Sequence, residues 1–381
     1  MTLQRFNQLP RERVYPAVAT LAAIEAETAL RSVTRLYILS SATLAKPGGP
    51  VEAIARQLGT VCAGIGTALS EHTPLHAVIE TAARLRAAEV DMIVAIGGGS
   101  VIDGAKAVKA AIAGGLDTVE AFAPFSAVNA APAPVPTGGP TLIAVPTTLS
   151  AAEFSGTAGY TNPLSGLKEG LRAPHLAPAA VILDPDLALH TPLRLWTSSG
   201  VRAVDHAVET IFSPHAWTSL RAKAATGLAM LAEALRAAHA DPADPSARSN
   251  AQQAVWLIGD CSAQLTMGAS HGLGYLLGSI GHVPHGLTSC ILLPTVVAWN
   301  TPMFPQAAQQ VASALASDNA VDGLRSLIAA LDLPTRISDC VADKNVLDAI
   351  AAYALNHPVV RVNPRPFADD AEVRALLERA W

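Results

Sequence analysis

Four short segments of this 381-residue chain carry groups that could do chemistry. Gly97-Gly98-Gly99-Ser100 lies between an apolar, strand-like run and a helical pattern. Three residues without Cβ let the backbone approach a ligand closely, and the N–H groups of the next helical turn then face an anion such as a pyrophosphate. The spacing is not Gly-x-Gly-x-x-Gly, so a tight strand-to-helix corner accounts for it equally well. Asp103 is expected in the first turn of that helix, where a carboxylate complements the dipole. Pro146-Thr147-Thr148 follows an apolar run ending at Val145. Its hydroxyls could reach a ribose or a phosphate, although threonine pairs are also ordinary turn residues.

The third segment begins at Thr197-Ser198-Ser199, which offers an N-cap for a helix starting near Gly200. Val201, Val204, Val208 and Ile211 then share one helical face, and Arg202, Asp205, His206 and Glu209 the other. A solvated stripe with local ion pairs is the simpler reading of the polar face. Arg202 and His206 are nonetheless four apart and project to the same side. The fourth segment runs from Ser270 to Leu293. His271 and Tyr275 share a face there, and Gly272, Gly274 and Gly278 leave room for close packing by a helix or a ligand. His285 follows Pro284 and precedes a helical run, so it is expected at a helix N-terminus, where the dipole disfavours imidazolium. A neutral histidine there could bind a metal or accept a hydrogen bond. His282 is a further possible ligand, although a lone loop histidine is more often only a surface residue.

Such groups need a scaffold. Arg35–Leu39, Asp91–Ile96, Leu142–Val145 and Ala180–Leu183 read as strands, with Val61–Thr67 a weaker candidate. Pro50–Leu58, Leu75–Ala88 and Val101–Ala113 read as helices between them. Alternation of this kind argues for a parallel sheet with crossover helices. The proline-rich stretch after Leu116 reads as a loop or flap. From about Leu189 the strand signals stop and helical patterns continue to Trp381. The expected organisation is an α/β nucleotide-binding (Rossmann-like) domain over 1–188 and an all-α domain over 189–381, the latter carrying the histidines.

Composition narrows the field further. Half the residues are apolar, enough for a core in each domain, which excludes a disordered chain. A net charge of -5 leaves no basic excess for a nucleic-acid backbone. The longest apolar run, Ile291–Trp299, is well short of the roughly 18 residues of a membrane helix. No apolar stretch follows the N-terminal arginines, and Cys62, Cys261, Cys290 and Cys340 form no Cys-x-x-Cys pair, so a reduced, cytoplasmic protein is expected.

Taken in order, Gly97-Gly98-Gly99-Ser100 with Asp103 and Lys106, PTTLSAAEFSG from Pro146, RAVDHAVE from Arg202, His271 with His285 fourteen residues on, and Asn363-Pro364-Arg365-Pro366 resemble the iron-containing alcohol dehydrogenase family. The maleylacetate reductase branch is the most similar. The resemblance implies the dehydroquinate synthase-like fold of that family and a nicotinamide cofactor. Gly98, Gly99 and Ser100 would carry its pyrophosphate and Gly97 and Asp103 would belong to the same cofactor site, with Thr147 and Thr148 near the nicotinamide and Lys168 at its ribose. Ser41 stands where NAD-selective members carry an Asp for the adenine ribose, so either NADH or NADPH is expected. Metal-dependent members use one Asp and three His; His206, His271 and His285 match the histidines, but Arg202 takes the Asp position. A guanidinium cannot be a ligand and repels a dication, so no catalytic metal is expected. Were a metal held, the three histidines would hold it. Tyr275 replaces a histidine of the branch. The implied activity is NAD(P)H-dependent reduction of a small anionic substrate, maleylacetate to 3-oxoadipate, in aromatic-compound catabolism. Arg202 would grip the carboxylate, and His206, His271, His285 or Tyr275 would supply the proton. The alternatives are a metal-dependent (Fe or Zn) alcohol dehydrogenase or aldehyde reductase, and a lyase or cyclase on the same fold. Neither nucleic acid nor membrane is an expected partner; a homodimer is.

Overall fold

The run MIVAIG is buried along its whole length and forms β4 (Met92–Gly97), a strand with apolar neighbours on both faces. In the computed structural model, which describes residues 11–70, 72–166 and 168–381, it is the centre of a six-stranded sheet. The other strands are β1 (Arg13–Pro16), β2 (Leu36–Ser40), β3 (Cys62–Gly66), β5 (Thr141–Pro146) and β8 (Ala180–Leu183), in the order β1-β8-β5-β4-β2-β3, all parallel. Side chains alternate across this sheet and sort the core into two clusters. Ile93, Ala95, Leu142 and Ala144 pack on one face with Leu75, Val78, Ile102 and Ala105. Met92, Val94, Ile96, Ile143 and Val145 pack on the other with Ile24 and Val51. The covering helices are α3 (Leu75–Ala87) and α4 (Gly99–Gly114) on the first face, and α1 (Thr20–Leu30) and α2 (Pro50–Leu58) on the second.

The chain runs outward from β2 to β3 and then returns to β4 on the other side of β2. This reversal makes a switch point at the carboxyl ends of β2 and β4, the place where ligands enter such sheets. Gly97–Ser100 and Ser41 both follow those two strand ends.

One expectation changes in this part of the chain, and one element is added to it. The stretch after Leu116 opens with a helical turn, α5 (Val119–Phe122), because Thr118 accepts a hydrogen bond from the Ala121 N–H as its cap. Between β5 and β8 the chain also forms an antiparallel hairpin, β6 (Thr157–Thr161) with β7 (Lys168–Arg172).

The described chain divides into two compact units, one ending at His190 after α6 (Pro185–Ala188) and the other starting at Thr191. The second is helical: α7 (Leu193–Phe212), α8 (Thr218–Ala240), α9 (Pro245–Ser262), α10 (Ala269–Ile280), α11 (His285–Asn300), α12 (Pro305–Ala314), α13 (Ala320–Ala329), α14 (Val346–Ala354), α15 (Pro358–Arg361) and α16 (Asp370–Ala380). Helix α7 starts seven residues before Gly200, with Pro192 as its N-cap residue. Thr197 and Ser199 therefore lie inside it and bond back to the Leu193 and Trp196 carbonyls rather than capping it. The solvated stripe is also corrected: α7 packs against α8, α9 and α11, and Arg202, Asp205 and Glu209 are 5%, 0% and 8% exposed. No helix among the described residues is long and apolar enough to cross a membrane.

Candidate active site

In the α/β unit, Gly97 ends β4, Gly98 is the N-cap residue of α4, and Gly99 and Ser100 open that helix. Gly98 has no side chain with which to cap, so the first amides of α4 await another acceptor. A Cβ on Gly98 would lie 3.2 Å from the Thr148 methyl, and one on Gly99 would lie 2.9 Å from Ser150 Oγ. Only glycine allows the 147–150 loop this close. The Thr147 N–H donates to the Gly97 carbonyl at 3.0 Å, which ties the loop to the strand end. The glycine turn and the threonine pair are thus brought together, as the sequence motifs require.

Asp103 lies beyond the first turn of α4, so the dipole does not explain it. Its Oδ1 accepts from Lys106 Nζ at 3.0 Å and its Oδ2 from the Gly159 N–H at 3.3 Å. Lys106 is fully buried and also donates to the carbonyls of Ala152 and Thr157, at 2.6 and 2.7 Å. Together they lock α4 to the loop and to β6. Lys168 opens β7 with its stem 3.9 Å from the Cβ position of Gly159, so it joins this group. Ser41 stands apart from these residues, past the end of β2, where its Oγ accepts from the Leu44 N–H at 3.3 Å. The motif also contains a group that sequence reading passed over. Glu153 is buried with Oε2 unpartnered, and desolvation pushes its carboxyl up to about 7 despite Lys106 and Arg11 nearby.

The helical unit assembles the remaining candidates from α7, α10 and α11. Arg202 donates from Nη1 to Ser289 Oγ at 3.0 Å, and its guanidinium carbon lies 5.4 Å from the Tyr275 ring centre. A Cβ on Gly274 would meet Thr288 Oγ1 at 2.9 Å and Arg202 Nη1 at 3.7 Å, so the glycine makes room for both. Gly272 serves helix packing instead, since a Cβ there would strike Val360 at 2.6 Å. Tyr275 stacks on His285 at 5.5 Å and leans on His357 at 5.8 Å, a histidine outside every motif of the chain. His285 opens α11, as its place after Pro284 implied. His282 is exposed in the turn before it.

His206 and His271 pack ring to ring at 4.6 Å. His206 is held well below its usual range by burial, reinforced by His271 and Arg202, and is neutral. Burial and Arg202 push His271 down as well, but Asp205 and Glu209 reverse the balance and raise it. His271 Nδ1 lies 2.8 Å from Glu209 Oε2 and 3.4 Å from Asp205 Oδ2. Burial alone would raise the Asp205 carboxyl, yet His271, Arg202 and Ser289 bring it down to about 2. The carboxylates that sequence reading gave to solvent are therefore partners of the candidate histidine. Glu209 also accepts from the Gly268 and Ser270 N–H groups, and Asn363 Oδ1 accepts from the Ala269 N–H at 3.1 Å. The first amides of helix α10, which carries His271 and Tyr275, are received by the side chains of Glu209 and Asn363 from elsewhere in the chain.

Asp205, Glu209 and His271 bring three potential ligand atoms within 4.8 Å of one another. Both Glu209 oxygens already accept backbone N–H groups, and Asp205 Oδ2 accepts from Ser270 and Ser289. Asp205 Oδ1, His206 Nδ1 and both ring nitrogens of His271 are buried without hydrogen-bond partners, His271 Nδ1 facing Glu209 and Asp205 only at ion-pair range. An ion drawn to them would share the space with Arg202, whose Nη1 is 3.8 Å from Asp205 Oδ2. Repulsion between a guanidinium and a dication at such range is of order several kcal/mol even at a moderate effective dielectric. The donor set and its charge suit a hydrogen-bonded cluster better than a divalent cation.

Comparison with known proteins gives a consistent result. Residues 12–185 match the family described as iron-containing alcohol dehydrogenase, and residues 196–381 match the Fe-containing alcohol dehydrogenase family, C-terminal. A maleylacetate reductase of Burkholderia cepacia is 30% identical over 350 residues, covering 91% of this chain and 89% of its own. The crystal structure of maleylacetate reductase from Agrobacterium tumefaciens aligns with a TM-score of 0.84 at 28% identity, over 100% of this chain and 99% of that one. A sulfoacetaldehyde reductase from Bifidobacterium kashiwanohense, solved in complex with NAD+, has the same fold, with a TM-score of 0.88 at 19% identity over 100% of this chain and 99% of its own.

Proposed function

The chain belongs to the iron-containing alcohol dehydrogenase family, and on that premise we propose that this oxidoreductase is an NAD(P)H-dependent reductase of a small unsaturated or oxo carboxylate, of the type that turns maleylacetate into 3-oxoadipate without a catalytic metal. The observation that carries the reading is Arg202: a buried, permanently charged fork, held by Ser289 and set against Tyr275. Its planar pair of N–H donors matches a carboxylate. Relatives named maleylacetate reductase, at about this level of similarity along nearly the whole chain, support it.

The uncapped first amides of α4 at Gly98, Gly99 and Ser100 fit a pyrophosphate, and Gly97 lets the strand end turn into them. Thr147, Thr148 and Lys168 would hold the nicotinamide half, with Asp103 keeping their loop in place and Ser41 at the adenine end. Neither an acidic nor a basic side chain adjoins Ser41, so NADH and NADPH are both accepted. NAD(P)H, when bound, supplies the hydride. Addition of hydride to a double bond conjugated to a carbonyl leaves an enolate on the substrate. Arg202 binds the anionic end of that substrate, and hydrogen-bond donors among His206, His271, His285 and Tyr275 stabilise the enolate and return the proton. Tyr275 and His285 are partly exposed, whereas His271 is buried and flanked by the carboxylates of Glu209 and Asp205.

The test uses metal-stripped protein with NADH or NADPH and maleylacetate, following nicotinamide absorbance with and without added Zn or Fe. Metal-independent oxidation of the cofactor is expected. Activity only with metal would replace this reading by the metal-dependent alcohol dehydrogenase, and transformation without net use of NAD(P)H would replace it by a lyase or cyclase.

A further inference from the structure

Asp205 touches both halves of the chemistry set out above. Its Oδ2 accepts hydrogen bonds from Ser289 Oγ at 2.6 Å and Ser270 Oγ at 2.8 Å, and lies 3.4 Å from His271 Nδ1. Ser289 Oγ is also the acceptor for Arg202 Nη1, so a single hydroxyl couples the guanidinium to the carboxylate. Donation from Ser289 to Asp205 turns its lone pairs toward Arg202 and fixes which edge of the fork is used. On the other side, Glu209 Oε2 faces the same His271 Nδ1 from 2.8 Å. A ring nitrogen placed between two carboxylates carries a proton, because a lone pair there would meet two anions. Both ring nitrogens are buried outside hydrogen-bond geometry, but Nδ1 is the one with carboxylate oxygens at 2.8 and 3.4 Å, so Nε2 is the ring nitrogen left for other work.

We propose that Asp205, Ser289 and Glu209 are the positioning residues of this site: Asp205 through Ser289 sets the carboxylate-binding edge of Arg202, and Asp205 with Glu209 sets the ring and tautomer of His271. The charge of Arg202 and the orientation of the proton-bearing histidine are thereby tied to one buried carboxylate. Asp205 stands one helical turn from Arg202 and in contact with it, so each answers a charge that the other brings into the interior.

The inference rests on the proposed roles of Arg202 and the histidines, and its test has one arm with substrate and one without. In the first, Ser289→Ala, Glu209→Gln and Asp205→Asn are compared with the wild-type chain over a range of maleylacetate concentrations. Ser289→Ala is expected to raise KM about tenfold with kcat within about twofold, and Glu209→Gln to lower kcat about tenfold with little change in KM. Asp205→Asn is expected to do both. Ser289→Thr keeps the hydroxyl and is expected to restore KM, which holds the test open if Asp205→Asn fails to fold. Equal effects on KM and kcat in all three variants, or lowered melting temperatures with unchanged kinetics, would overturn the proposal.

The second arm needs no substrate: nitrogen NMR of the histidine rings, with His271 assigned by its loss in His271→Gln. A protonated Nδ1 in the wild type that is lost or exchanged in Glu209→Gln is expected. An Nδ1 without a proton in the wild type would overturn the proposal even if the enzyme turns over. Wild-type protein that leaves maleylacetate and NAD(P)H untouched would refute the functional reading, and the NMR arm would still decide the positioning roles.

Discussion

Arg202 and Asp205 lie 3.8 Å apart with side-chain exposures of 6% and 0%, so neither charge is screened by water. At an effective dielectric of about 20, the Coulomb attraction at that distance is roughly 4 kcal/mol, and desolvation offsets much of it. The larger quantity is the cost of leaving one member buried alone. Asp205 would keep Ser270, Ser289 and His271 after loss of Arg202, which places Arg202→Met below the roughly 3–5 kcal/mol of an uncompensated buried charge, at about 2 kcal/mol of lost stability. Asp205→Asn leaves the guanidinium with a neutral amide and is expected to cost about the same. The double variant has no stranded charge, so its loss should be about 2 kcal/mol rather than the roughly 4 kcal/mol of independent sites, a coupling of about 2 kcal/mol. Urea unfolding of the wild type, both single variants and the double variant, without substrate or cofactor, measures the cycle directly. Additivity within about 0.5 kcal/mol would refute the claim that the two residues answer one another. A gain in stability on removal of either charge alone would do so as well.

Three further outcomes follow from the α/β unit. Gly99→Ala puts a Cβ 2.9 Å from Ser150 Oγ and 3.2 Å from Ser150 Cβ, so the 147–150 loop must move; NADH affinity measured by fluorescence titration should fall about tenfold with little loss of stability. Glu27, bonded to Arg13, Tyr15 and Arg31 at 2.5, 2.7 and 2.7 Å, is held down to about 2 by those partners although burial acts against them. Its contribution is complete above the ordinary value of 4.5 and is lost as pH falls toward 2, so the advantage of the wild type over Glu27→Gln, about 3 kcal/mol near neutrality, should vanish in denaturation series across that window. Glu153 has the opposite sign: with its carboxyl raised by burial to about 7, it loses stability as pH climbs from 4.5 to 7. Glu153→Gln should therefore be more stable than the wild type above that window, by up to about 3 kcal/mol, and not below it; equal stability at all pH values would show that the carboxyl is not desolvated.

Much of the scaffold was legible because its signals are local. The uninterrupted apolar runs of β4, β5 and β8 can only be buried strands, and three glycines after β4 announce a turn into a helix. The hairpin β6–β7 was missed because TAGYT and KEGLR are half exposed and contain glycine and charge, so no apolar run marks them. Thr197–Ser199 looked like a cap because a hydroxyl beside glycine is the common cap signal, whereas inside a helix the same hydroxyls satisfy themselves on the preceding turn. The misreading of α7 had a different cause. Charges at helical spacing look alike whether they face water or other helices, and the groups that decide the matter, Ser270 and Ser289, lie 65 and 84 residues from Asp205. No pattern within a window of the sequence carries that information. Asp103 failed on position alone, since α4 begins early enough to leave it past the first turn.

The capping of α10 bears on the order in which the protein is made. Its opening amides are received by Glu209, about sixty residues upstream, and by Asn363, 94 residues downstream of Ala269. While the ribosome is still extending the chain, the helix bearing His271 and Tyr275 has only the Glu209 carboxylate at its N-terminus, and the Ala269 amide gains its acceptor when the segment around Asn363 has emerged and folded back. A nascent chain can therefore complete its sheet, with the glycine turn after β4, well before the segment around Asn363 reaches the helix that carries His271 and Tyr275.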